Sequence, residues 1–173
     1  MNRYKKAFFV SVSVAGAFLL TGCDFEVPLA QSPPMDVSEK LLGVWERDHE
    51  QHREQRLLVL PMGRREYLVS FPHGSPDAMF ARAFLFRQEA DILVQLEWLG
   101  TARGTLPENK RVYQVGRCDV EDGRLAVRLL NTGVVDKDAT TTAHLEMSLI
   151  ENRDHPELWG NPLYFVRGKE TEE

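Results

Sequence analysis

From Leu41 onward the chain divides into short apolar runs separated by turn residues, the pattern expected of an antiparallel β protein. "LLGVWERD" opens the series and "QRLLVLPM" follows it. After Gly63-Arg64, "REYLVSF" alternates, with Tyr67, Val69 and Phe71 on one face and Leu68 and Ser70 on the other. "PHGSPD", with two prolines and Gly74, reads as a turn. "MFARAFLF" is apolar on both faces: Ala81, Ala83 and Leu85 alternate against Phe80, Phe84 and Phe86. That predicts a strand covered from both sides, with a short helix as the alternative. In "DILVQLEW", Ile92, Val94, Leu96 and Trp98 share a face while Gln95 and Glu97 take the other. A polar loop follows at 100–109. "KRVYQVGRCDV" and "RLAVRLL" then flank a hairpin turn at Glu121-Asp122-Gly123, and "PLYFVR" is an eighth candidate strand.

Residues 138–152, "DATTTAHLEMSLIEN", fit two patterns. Leu145, Met147 and Leu149 suit a strand, whereas Ala143, Met147 and Ile150 can share a helix face. Threonine and aspartate cap candidates, good helix formers after them and the breakers in "NRDHPELWGNP" favour a helix. The expected fold is mainly β: an antiparallel barrel or half-barrel of seven or eight strands with one helix before the last strand. A plain sheet packed on the helix is the alternative. Sequential hairpins favour closure, because a barrel removes exposed strand edges.

The N-terminus departs from this pattern. "MNRYKK" is basic, and the next fourteen residues, 7–20, carry no charge, the arrangement of an export signal. As a helix they would rise only about 21 Å, short of a bilayer core of about 30 Å. Removing this segment takes away Arg3, Lys5 and Lys6 and no acidic residue, so the formal charge of −5 becomes more negative still. A chain this acidic, with no concentrated Lys/Arg block, argues against nucleic acid as a partner.

Leu20-Thr21-Gly22-Cys23 resembles the lipobox of bacterial lipoproteins. The resemblance implies cleavage between Gly22 and Cys23, with acyl chains on Cys23 that anchor the protein in the lipid bilayer, facing the periplasm. More than one acyl chain is what stable anchoring needs. Asp24 resembles the mark that keeps enterobacterial lipoproteins at the inner membrane, the outer membrane being the alternative. The implied division is a signal peptide at 1–22, the lipidated cysteine and a proline-containing tether at 23–38, and one β-rich domain at 39–170. Phe25 and Val27 are the tether residues able to rest on the domain instead. With Cys23 consumed by lipid, Cys118 has no disulfide partner and reads as a small buried hydrophobe.

Gly43-Val44-Trp45, at the start of the first strand, resembles the opening signature of lipocalins and related calycin barrels. In those families the tryptophan closes the bottom of the barrel and the cup can hold an apolar ligand. The plain physical reading is a large aromatic packing beneath a barrel or sheet. Trp45, Tyr67, Phe84 and Trp98 are accordingly candidates either to line a pocket or to fill a core.

Catalytic chemistry is harder to find. His49 and His52, in "RDHEQHREQ", would face together on a helix and point apart on a strand. Their spacing differs from that of the zinc proteases, so neither a metal nor another cofactor is expected. The paired carboxylates, such as Asp119 with Glu121 and Asp122, flank turns where ionised side chains face water. The expectation is a non-enzymatic binding or accessory module whose partner is an envelope protein or a small apolar molecule. The alternatives are a hydrolase built around His49 and His52, and a purely structural lipoprotein.

Overall fold

The computed structural model describes residues 25–31, 35–105 and 111–168. Residues 1–24, with the expected export signal and Gly22, Cys23 and Asp24, lie outside them. Eight strands follow the sequence pattern closely: β1 Gly43–Arg47, β2 Arg56–Pro61, β3 Tyr67–Phe71, β4 Met79–Gln88, β5 Asp91–Thr101, β6 Tyr113–Glu121, β7 Arg124–Leu129 and β8 Leu163–Arg167. One helix, α1 Thr142–Glu151, lies between β7 and β8. Each strand pairs antiparallel with the next, and β8 returns to β1, so the sheet is a closed barrel.

The alternation determines which residues fill the barrel. Trp45, Val59, Tyr67, Val69, Phe71, Ala81, Ala83, Leu85, Val94, Trp98, Leu125 and Phe165 form one buried cluster. Small residues face large ones across the ladder: Ala83 pairs with Tyr67, and Ala81 with Trp98. A narrow barrel can enclose rings of that size only where the opposing position is small. Between Phe80 and Ala81 the register shifts, and the extra residue, Leu99, is left exposed.

β4 is covered on both faces, as its pattern predicts. Its outward Phe84 and Phe86 join Leu93, Val115, Leu145 and Leu149 in a second core outside the barrel. That core is roofed by α1 and by residues 25–30. α1 starts at Thr141, whose hydroxyl accepts from the His144 amide, satisfying one of the free N–H groups of the first turn. The buried face is Leu145, Ser148 and Leu149, while Met147 and Ile150 are exposed. The apolar face suggested by Ala143, Met147 and Ile150 is therefore not the one that packs. Outward Phe84, Phe86 and Leu93 offer the apolar surface, and Leu145 and Leu149, on the opposite side of the helix, meet it.

Of the segment read as a tether, residues 25–31 lie on the domain. Phe25 is fully buried and exchanges two backbone hydrogen bonds with Tyr113, each of 3.1 Å. Gln95 holds the next stretch from the outer face of β5. Its Oε1 accepts from the amides of Leu29 (2.7 Å) and Ala30 (2.9 Å), and its Nε2 donates to the Ala30 carbonyl (3.0 Å). A buried amide side chain is costly unless paired, and here the backbone supplies the partners.

Residues 35–42 then form a strap across the barrel end where β1 begins. The Val37 amide donates to the Arg64 carbonyl, the Ser38 amide donates to the Tyr67 hydroxyl at 2.7 Å, and Asp36 pairs with Arg64 and Arg65. Hydrogen bonds from Arg64 first and Arg65 second hold the Asp36 carboxyl below the usual range. A 3-10 turn, Glu39–Leu41, completes the strap. The Trp45 indole donates to its Leu41 carbonyl at 2.9 Å. The Arg167 guanidinium lies 4.1 Å from the centre of the Trp45 ring and donates to the carbonyls of Lys40 and Leu42.

Candidate functional site

A pocket of about 480 Å³ opens at the strap end. Its floor is made of Leu85, Ile92, Cys118 and Val120 from β4, β5 and β6, and the strap supplies Met35, Ser38 and Leu41. Asp36, Lys40, Asp91, Arg117 and Asp119 provide charged groups around it. The volume is in the range of small-molecule sites, and the lining divides about evenly between the apolar floor and the polar rim.

The strand ladders explain why the space is there. β4 and β5 stay paired as far as Gln88 with Asp91, and β6 and β7 as far as Glu121 with Arg124. The ladder between β5 and β6 stops earlier, at Leu93 with Arg117. One further step on that face would set Asp91 directly opposite Asp119, two like charges at cross-strand distance. The hairpins part there instead, and Arg117 donates to Asp91 at 2.9 Å across the gap. On the outer side the same pair borders a smaller pocket of about 170 Å³ beside α1, Leu158 and Trp159. Arg117 and Asp91 thus stand between the two cavities.

Cys118 is the one thiol among the described residues. Burial, and secondarily the neighbouring Asp119, pushes it up to about 12. At neutral pH it is a protonated, weakly polar part of the apolar floor rather than a nucleophile. Burial likewise raises Tyr67, partly opposed by its hydrogen bond with the Ser38 amide. The neutral phenol therefore anchors the strap beside the pocket.

The aromatic candidates divide between the two cores. Trp45, Tyr67 and Trp98 belong to the barrel interior and Phe84 to the outer core beneath α1. None of the four lines the pocket at the strap end. The residues that do line it carry no motif. Parity along β4, β5 and β6 puts Leu85, Ile92, Cys118 and Val120 on the inner face, but only the early end of the β5–β6 ladder exposes them. His49 and His52 lie around a single 3-10 turn, Glu50–His52, between β1 and β2, with ring centres 5.0 Å apart. Glu54 lies 4.0 Å from His52 and is well exposed. Among the described residues no three His, Cys, Asp or Glu side chains converge as metal ligands would, and no helix is long and apolar enough to cross a membrane. Comparison of the chain with models of protein families, with curated proteins and with solved structures yields no match.

Proposed function

We propose that this protein is a lipid-anchored envelope lipoprotein whose barrel binds a small apolar molecule in the strap-end pocket. The observation that carries the reading is the pocket itself: inward side chains of β4–β6 line a space beneath a strap that is held by hydrogen bonds and ion pairs through Asp36, Val37, Ser38, Lys40, Leu41 and Leu42. The rest of the interior is filled by rings, so the molecule sits at the barrel end rather than deep in a cup. A neutral fluorescent probe, N-phenyl-1-naphthylamine, should bind saturably with one site per chain. Val120→Trp fills the floor and should weaken binding at least ten-fold, whereas Met147→Ala on the exposed side of α1 should leave it unchanged. Equal binding by the native chain and Val120→Trp would remove the pocket from the reading.

The anchor has a geometric consequence. Phe25 is buried against Tyr113 at the start of β6, the barrel end away from the strap, and Cys23 stands only two residues before it. Two residues reach at most about 7 Å. Acyl chains on Cys23 would therefore hold the domain against the headgroups, with the pocket opening away from the bilayer. Cys23→Ala should move the protein from the membrane fraction to the soluble periplasmic fraction. Unchanged partition with membranes would overturn the anchor.

A further inference from the structure

β1 turns a half-buried cation toward the barrel interior at the end opposite the strap. Arg47 has the same parity as Trp45, and its direct cross-strand partner in β8 is Phe165, a residue of the inner cluster. Its guanidinium lies 5.3 Å from the centre of the Phe165 ring, and Phe165 meets Phe71 edge to face with ring centres 6.2 Å apart. Nε and Nη1 of Arg47 are buried and have no hydrogen-bond partner.

The neighbouring acids cannot neutralise it. Glu46 and Asp48 flank Arg47 in sequence and therefore project to the outer face, where Asp48 is paired with Arg124 at 2.8 Å. Among the described residues none forms an ion pair with Arg47, and burial alone is what lowers its pKa. Arg167, which is exposed, shows the contrast: it covers an aromatic ring as Arg47 does, yet donates to two strap carbonyls. A π face compensates a desolvated guanidinium only in part. Buried donors in native proteins are nearly always satisfied, and a fork of N–H groups matches an oxyanion better than any other partner.

We propose that Arg47 is an anion site, donating its unpartnered N–H groups to a carboxylate oxygen at the barrel end opposite the strap, beside the buried rings of Phe165 and Phe71. Two sources share this chemistry, the carboxylate of an amphiphile and a small free carboxylate, and they are separated by comparing decanoate, decanol and acetate. The experiment uses the purified full chain at neutral pH and reads calorimetric affinity and melting temperature. The native chain should bind decanoate at least ten-fold more tightly than decanol. Arg47→Met, checked for folding by circular dichroism, should abolish that preference, and Arg47→Lys should keep part of it. Val120→Trp, which closes the strap-end pocket, should leave the preference intact, so failure of one site does not count as failure of the other. An acetate-dependent rise in melting temperature that is absent from Arg47→Met supports the site with a free carboxylate as its source. If the native chain fails to distinguish decanoate from decanol and ignores acetate, or if folded Arg47→Met responds as the native chain does, the proposal is overturned.

Discussion

Replacing Trp45 with alanine should cost the protein about 4 kcal/mol, in the range measured for emptying a buried aromatic site, and lower its melting temperature by roughly 10 °C or more. The ring is fully buried at the centre of the inner cluster, and nothing in a closed barrel can move in to replace it. Two further losses accompany the cavity. The Leu41 carbonyl loses its indole donor, and Arg167 loses the face it lies on. Trp45→Phe should separate these effects, since it keeps most of the packing and removes the hydrogen bond, for a loss nearer 1 kcal/mol from that bond. Thermal melts and urea titrations of the three proteins measure the difference. Near-native stability of Trp45→Ala would mean that the ring is not the packed centre of the inner cluster.

Phe25→Ala should be the second severe change, costing about 3 kcal/mol or more by the same argument. This loss would be unexpected if residues 23–38 acted only as a tether. In the structure Phe25 is as buried as Trp45, seated against Tyr113 in the core that α1 covers. The substitution should also free residues 27–30 from Gln95, so that the amides of Leu29 and Ala30 exchange with solvent much faster than in the native protein. Gln95→Ala should give the same local exchange with the Phe25 site intact. Protection of those amides unchanged in Phe25→Ala would show that the segment holds its place without the ring.

Much of the barrel can be read from the chain because its strands alternate and its turns are marked. The period-2 pattern of "DILVQLEW" separates Val94, Leu96 and Trp98, which face inward, from Gln95 and Glu97. The doubly apolar "MFARAFLF" already implies a covering layer on the outside of β4. What covers it is less legible, since Phe25 and Leu29 sit in a proline-containing stretch with no period, and they are held by Tyr113 and Gln95, each more than 60 residues away. The helix was recognisable by its cap, but its buried face was not, because apolar residues occur all round it and the tertiary partner chooses Leu145 and Leu149.

The pockets are the least legible feature. Ile92, Cys118 and Val120 differ from other inward residues only in standing beyond the last β5–β6 pair, with Leu85 beside them on β4, a register that no local pattern shows. The potential clash of Asp91 with Asp119 is visible only once that register is known. Arg47 is similar. Its parity with Trp45 is plain in "GVWER", yet a charge at a strand end normally reads as a solvated rim. Only the burial of Nε and Nη1 without a partner gives it meaning.

The central claim, that the strap-end pocket holds an apolar molecule, is tested most directly by methyl NMR during titration with N-phenyl-1-naphthylamine. The account predicts saturable shifts of the Leu41, Leu85, Ile92 and Val120 methyls, with Leu145 and Leu149 in the outer core unmoved. Shifts confined to the exposed Met147 and Ile150, or none that saturate, would contradict it.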